Sequence, residues 1–311
     1  MALIVGALGC AVDPISIAAA LTVPAAIAYA WWRKAPLCLI LAVAMLESFA
    51  LGTLAGVVDP GSGLDRFWTD LALWRLGPYH SGPLSYITMM FLHANLFHLL
   101  FNLLFVIGLG PLFEDRVGPL RWGVLFFVGG VFANLAFEAV NVADPFYMLL
   151  GASGGLSAVF GAFGRLYPRE RVSMWVFVPL PAVPVIYLVI GFVVVQLLLS
   201  LVAFGPLLAV AWSAHVAGVV FGFAVAPLVM RIPSRRKRPE KARDVSALKP
   251  LVHGPELDEI YGHLSGETLP EAQEAWLERF AARAACPRCG KRLAYRRRAF
   301  RSECGWTLKL P

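Results

Sequence analysis

Seven apolar runs constrain this chain more than any other feature. They cover residues 12–32, 37–58, 89–113, 119–140, 150–167, 181–204 and 211–231. A helix rises 1.5 Å per residue, so about 20 apolar residues cross the ~30 Å hydrocarbon layer of a membrane. Inside that layer backbone polar groups have no water to bond, which leaves helices or a closed barrel as the spanning structures. Runs of this length specify helices. With 59% hydrophobic and 15% charged residues, the chain is expected to be an all-α, polytopic membrane bundle rather than a soluble core.

Charge then orients the spans. Arg33, Lys34, Arg116, Arg121, Arg165, Arg169, Arg171, Arg231, Arg235, Arg236, Lys237, Arg238, Lys241 and Arg243 all fall on one side of a single weave, 14 basic residues against Arg66 and Arg75 on the other. The side rich in Lys and Arg faces the cytoplasm. The expected topology is seven spans in the cell membrane, with the N-terminus outside and the tail cytoplasmic. Asp13, Pro14 and Pro24 interrupt the first run. If that run lies in the interface instead, six spans remain and the N-terminus is inside. No positive charge precedes the first run, so a cleaved secretory signal is not expected. The net charge of +7 lies beside the spans and in the tail, which points to anionic membrane lipid rather than nucleic acid. Cys10 and Cys38 sit in apolar context and Cys286, Cys289 and Cys304 near the end, a distribution that implies no disulfide framework.

Against this background the intramembrane polar residues stand out. Gly151-Ala152-Ser153-Gly154-Gly155 opens the fifth run, His98 and Asn102 lie in the third, and His215 lies in the seventh. Alone, a Gly-x-Ser-Gly string means close helix packing, and Asn102 means a helix-to-helix hydrogen bond. Together they offer a chemistry. A serine hydroxyl needs a base to become a nucleophile, and His215 is the only imidazole in a later span. Acyl transfer also needs oxyanion donors: the Asn102 amide, the His98 N–H and the Ser153 backbone N–H at a helix N-terminus. The topology puts Ser153 and His215 a few residues below the outer face, and His98 and Asn102 two to three turns down. His98 and Asn102, spaced i and i+4, share one helix face. No Glu-x-x-His or His-Glu-x-x-His pattern accompanies the histidines, so no metal is expected in the spans.

Three strings in register resemble the rhomboid family of intramembrane serine proteases. They are His93-Ala94-Asn95-Leu96-Phe97-His98-Leu99-Leu100-Phe101-Asn102 with Gly110 and Glu114-Asp115-Arg116-Val117-Gly118, then Gly151-Ala152-Ser153-Gly154, then Ala214-His215-Val216-Ala217-Gly218-Val219-Val220-Phe221-Gly222. Order, spacing and topology agree from 37 to 231. The resemblance implies a six-span catalytic core in which Ser153 is the nucleophile and His215 its base, a dyad with no third carboxylate and no cofactor. His98, Asn102 and Gly151 would form the oxyanion and substrate side, and His93 would lie near the water access, where an interfacial residue is the plainer reading. Glu114 is expected to anchor a cytoplasmic turn through Arg116 or Arg121. Gly218 and Gly222 should bring the His215 helix close to the Ser153 helix. Two positions depart from the pattern. The Trp-Arg pair of many relatives would fall at Leu84-Ser85, whereas Trp74-Arg75 lies ten residues earlier, so the resemblance does not extend to the shape of the loop at 59–88. The aromatic that some relatives place one turn after the serine, against the base, is here Ser157.

The expected division is 1–34 as an extra N-terminal span, 35–231 as the core, 232–254 as a basic linker and 255–311 as a cytoplasmic tail. Helices are expected at 255–265 and 270–285. Cys286-Pro287-Arg288-Cys289-Gly290 and Ser302-Glu303-Cys304-Gly305 resemble the two knuckles of a zinc ribbon, with Arg301 where a fourth cysteine would stand. Structural zinc takes four ligands. Cys286, Cys289 and Cys304 are therefore zinc candidates only if His253, His263 or a second chain completes the set, and the expectation is a degenerate ribbon acting as a basic docking module. For the whole protein the resemblance implies an endopeptidase whose partners are transmembrane protein substrates and lipid. An inactive rhomboid-like protein that escorts membrane clients is the alternative. A transporter is disfavoured because no inverted repeat or broken helix pair is apparent.

Overall fold

The computed structural model describes residues 12–172, 175–176, 178–179, 182–202, 211–233, 243–267, 270–296 and 299–310. Cys10 and the basic run from Arg235 to Lys241 lie outside these residues. The chain forms two compact units, Met1–Arg236 and Lys237–Pro311.

The first unit is a helical bundle. Its long helices are α1 (Pro14–Arg33) and α2 (Leu37–Val58), and a short α3 (Gly63–Leu71) follows. Two strands come next, β1 (Leu73–Leu76) and β2 (Tyr79–His80), then the single turn α4 (Ser85–Thr88) and a 3-10 turn at Met89–Phe91. Helices α5 (Leu96–Val117) and α6 (Pro119–Val140) lead to β3 (Phe146–Leu149) and α7 (Ser153–Leu166). Short strands β4 (Arg171–Val172), β5 (Trp175–Val176), β6 (Val178–Pro179) and β7 (Val183–Pro184) precede α8 (Val185–Val202) and α9 (Trp212–Val229). Among the described residues, five helices (α1, α2, α5, α6 and α9) are long and apolar enough to cross a membrane, with α8 a shorter apolar helix. The chain is a multi-pass membrane protein.

Local signals explain where the helices start. Asp13 and Pro14, which look like interruptions in the sequence, begin α1: the Asp13 carboxylate accepts from the N–H groups of Ile15 and Ser16, and Pro14 takes a first-turn position that needs no donor. The third run differs from its expected limits. Asn95 caps α5 by accepting from the His98 N–H at 2.9 Å, so the helix begins at Leu96 and extends to Val117. His98 therefore lies in the first turn rather than two to three turns down. Hydropathy missed this because residues 89–92 are as apolar as the helix, although they form the 3-10 turn and an extended connection.

Glu114 anchors a different partner from the one expected. Its two carboxylate oxygens accept from the N–H groups of Leu37 and Cys38, both at 2.7 Å, and so cap the buried start of α2. Arg116 pairs instead with Glu170 at 2.8 Å, and Arg121 donates to the Ile232 carbonyl at 2.8 Å. The loop at 59–88 holds α3, β1 and β2, and the two strands join β3 in a three-stranded antiparallel sheet in the order β2-β1-β3. In its register Leu73 faces Leu149 and Arg75 faces Tyr147. The sheet thus ties this loop to the strand that leads into Ser153.

The second unit has its own apolar core, built on Leu248, Leu264, Leu277, Phe280, Phe300 and neighbours. Two helices, α10 (Pro255–Gly266) and α11 (Pro270–Ala281), pack beside an antiparallel sheet of β8 (Ala294–Arg296), β9 (Ala299–Arg301) and β10 (Thr307–Lys309), in the order β10-β9-β8.

Candidate active site

Ser153 is the first residue of α7, with Ala152 as its N-cap. The backbone N–H groups there have no intrahelical acceptors, and the helix dipole favours negative charge beside them. Helix α7 has 14 residues, hence a length of about 21 Å, short of the ~30 Å apolar layer. Arg165 in its last turn belongs at an aqueous boundary, so the recessed end is the one that carries Ser153.

His215, in the first turn of α9, meets it. Its Nε2 stands 2.7 Å from Ser153 Oγ. Glycines on α9 permit this approach. A Cβ built on Gly218 would lie 2.4 Å from the Gly154 carbonyl oxygen, and one on Gly222 would lie 1.8 Å from that of Ala158. The expected Gly-x-x-x-Gly contact is thus present as backbone against backbone.

The other face of the imidazole is held by a residue that sequence reasoning did not single out. Gln196 of α8, 6% exposed, places Oε1 2.9 Å from His215 Nδ1. With the oxygen facing the ring, Nδ1 carries the proton and Nε2 keeps the lone pair that accepts from the serine hydroxyl. Phe192, one turn earlier on α8, lies with its ring centroid 6.0 Å from that of His215. Helix α8 therefore orients the imidazole through Gln196 and Phe192. The available signal was an amide in an otherwise apolar span, which is costly unless partnered.

Residues preceding the serine form the rest of the site. Gly151 has φ +123°, a conformation that side chains disfavour, and a Cβ there would lie 2.6 Å from His98 Nε2 and 3.7 Å from Ser153 Oγ. His98, Gly151 and the serine hydroxyl thus surround one point. The Gly151 N–H donates to the Met89 carbonyl at 2.9 Å, fixing this turn on the 3-10 segment. Asn102, buried at 5% exposure, donates from Nδ2 to the His98 carbonyl at 3.0 Å. An amide has two N–H donors, and this bond uses one. His93 is buried at 4% exposure, so it is not an interfacial residue. Its ring stands edge-on to His98 at 5.0 Å and borders a pocket of about 220 Å³ that also meets Ser48, Thr53 and Trp68.

In the C-terminal half of α6, Asn134 and Glu138 hold the surroundings. Asn134 donates to the Tyr86 carbonyl at 3.1 Å, and the Glu138 carboxylate accepts from the hydroxyls of both Tyr86 and Tyr147. Burial, the hydrogen bond to Glu138 and that group's negative charge push the Tyr86 phenol up to about 12 and raise that of Tyr147.

Fold and site together define a polytopic membrane protein that brings a half-buried serine and histidine into a hydrogen bond at the start of a short helix. The family model of the rhomboid domain matches residues 74–232, just over half of the chain. The chain belongs to the rhomboid family. It is 29% identical over 163 residues to the rhomboid protease GlpG of Yersinia pestis, covering 49% of this chain and 52% of that protein. It is 32% identical over 98 residues to the putative rhomboid protease YdcA of Bacillus subtilis, covering 31% and 47% respectively. The inactive RHOMBOID-like protein 8 of Arabidopsis thaliana is 29% identical over 117 residues, covering 34% and 30%. The chain thus spans about half or less of the length of these relatives.

Proposed function

We propose that this protein is an intramembrane serine endopeptidase in the cell membrane, with a cytoplasmic tail, that cuts transmembrane helices of other proteins near the outer face. The observation that carries this reading is the 2.7 Å hydrogen bond between Ser153 Oγ and His215 Nε2. In the first step His215 Nε2 takes the hydroxyl proton as Ser153 Oγ adds to the scissile carbonyl. The tetrahedral oxyanion faces the α7 N-terminus, with His98 and the second N–H of Asn102 as further donors. Collapse breaks the C–N bond, and the imidazolium returns its proton to the leaving amine. Water, deprotonated by the same nitrogen, then releases the acyl group from Ser153. Throughout, the Gln196 carbonyl accepts from Nδ1–H and stabilises the cationic ring.

A helix shields its own carbonyls, so a substrate must unwind to be cut. Family resemblance supports substrates with Gly, Pro or other weak helix formers near the outer face and a small residue before the cut. Replacing Ser153 by Ala should lower turnover of a model transmembrane substrate by at least about a thousandfold. A serine-directed fluorophosphonate should label the wild type but neither Ser153→Ala nor His215→Ala. Wild-type protein that resists the probe and leaves the substrate intact would instead favour a client-binding role.

A further inference from the structure

In the tail, the hydrogen bonds place Ser302, and not Arg301, where the missing cysteine of the ribbon would be. In the first turn the Cys286 N–H donates to the Lys291 carbonyl at 2.7 Å, and the Gly290 N–H donates back to the Cys286 carbonyl at 2.9 Å. In the second turn the Ser302 N–H donates to the Trp306 carbonyl at 3.0 Å, and the Gly305 N–H donates to the Ser302 carbonyl at 3.0 Å. Each turn closes on a glycine with positive φ, +72° at Gly290 and +83° at Gly305. The second turn is thus the first shortened by one residue, with Ser302 in the place of Cys286. Arg301 is the last residue of β9, paired with both Ala294 and Thr307, and is exposed.

The two turns bring three thiols and one hydroxyl together. The sulfurs of Cys286, Cys289 and Cys304 all lie within 4.8 Å of one another. Cys286 and Cys304 are 3.7 Å apart, and Cys289 Sγ is 3.2 Å from Ser302 Oγ. Thiolates at ~2.3 Å around a tetrahedral zinc ion stand about 3.8 Å from each other. The Arg288 N–H points at Cys286 Sγ at 3.4 Å, a contact that stabilises sulfur carrying negative charge. An ion pair between Lys291 and Glu303, at 2.6 Å, ties the two turns together. Neither histidine considered from the sequence belongs to this cluster: His263 stacks on Trp276 at 4.7 Å, and the group contains only the three cysteines among the described residues.

We propose that Cys286, Cys289 and Cys304 bind one zinc ion as thiolates, with the fourth position turned toward Ser302 and filled by its hydroxyl or by water. The ion would staple the two turns beneath a core too small to be robust alone. Binding releases the thiol protons and changes no oxidation state.

The test uses the full chain, purified under reducing conditions in detergent. Elemental analysis should find one zinc per chain in the wild type and in Ser153→Ala, and a loss of it in Cys289→Ala and Cys304→Ala. Exchange with cobalt should give thiolate-to-metal charge transfer and the visible absorption of a tetrahedral site. Ser302→Cys, which completes a four-thiolate set without removing a ligand, should hold zinc against a higher chelator concentration than the wild type. Three results would each overturn the proposal: wild-type protein free of metal and unable to take up cobalt, zinc retained when all three cysteines are replaced, or a Cys286–Cys304 disulfide in place of the ion. Equal chelator resistance in Ser302→Cys and the wild type would overturn the assignment of the fourth position.

Discussion

Replacing Gln196 by Leu removes an acceptor from His215 Nδ1 while nearly conserving the volume of a side chain that is 6% exposed. Two effects follow. Without the acceptor the proton is free to move to Nε2, and that tautomer cannot accept from Ser153. The imidazolium formed in the transition state also loses a charge-assisted bond, worth about 1.5–3 kcal/mol against about 1 kcal/mol for the neutral bond in the resting enzyme. The differential, together with the tautomer penalty, predicts a fall in kcat of about 10- to 100-fold, or ~1.4–2.7 kcal/mol. That is smaller than removing a buried carboxylate from a triad, about 10⁴-fold, because an amide carries no charge. In the proposed mechanism Gln196 acts through His215 and not on the substrate, so KM should stay within about twofold of the wild type. The assay is single-turnover cleavage of a model transmembrane substrate beside the rate of fluorophosphonate labelling, which reports the Ser153–His215 pair without substrate binding. Both rates should fall by similar factors with little change in thermal stability. Wild-type rates in Gln196→Leu would refute the claim that this hydrogen bond sets the tautomer.

Three further outcomes follow from the packing. Gly222→Leu should separate α7 from α9, since even a Cβ would meet the Ala158 carbonyl at 1.8 Å; because ~1 Å of misplacement can cost about 100-fold, fluorophosphonate labelling should drop at least that much. Glu114→Leu orphans two buried N–H groups at the start of α2 and should cost about 2–5 kcal/mol by thermal unfolding in detergent, whereas Arg116→Ala breaks a half-exposed ion pair with Glu170 and a cation–π contact with Tyr167 and should cost about 1 kcal/mol. Equal effects in the two variants would contradict the assignment of Glu114. The Tyr86 phenol, pushed up to about 12, favours the folded state while protonated, so its contribution is complete below about pH 10 and lost as pH rises through the folded value. Phenolate absorbance should show this delayed titration, and Tyr86→Phe should weaken the alkaline fall in stability; titration of all tyrosines near pH 10 in folded protein would count against the Glu138 clamp.

How far the sequence reaches depends on the range of the interaction. Apolar runs are local, and lipid leaves the backbone little choice but a helix, so the long apolar helices and the polar residues among them were legible. Ser153, His215, His98 and Asn102 drew notice because membranes tolerate few such groups, and the glycines of α9 announced a close approach. Helix ends were less legible: the Asn95 cap that starts α5 is invisible to a hydropathy window.

Only the tertiary structure decided which groups meet. A helix apolar on all sides carries no stripe to show which face turns inward, so nothing along α8 indicated that Gln196 faces His215, 19 positions away. The same is true of Glu114, whose charged neighbours suggested an ion pair while its carboxylate reached 77 positions back to Leu37. The pairing of β1 with β3 and the placement of Ser302 beside Cys289 likewise depend on strand register and turn geometry. Chain composition determines which solvent a segment prefers; rotation, crossing and register determine which atoms come within bonding distance, and those depend on all the packed partners at once.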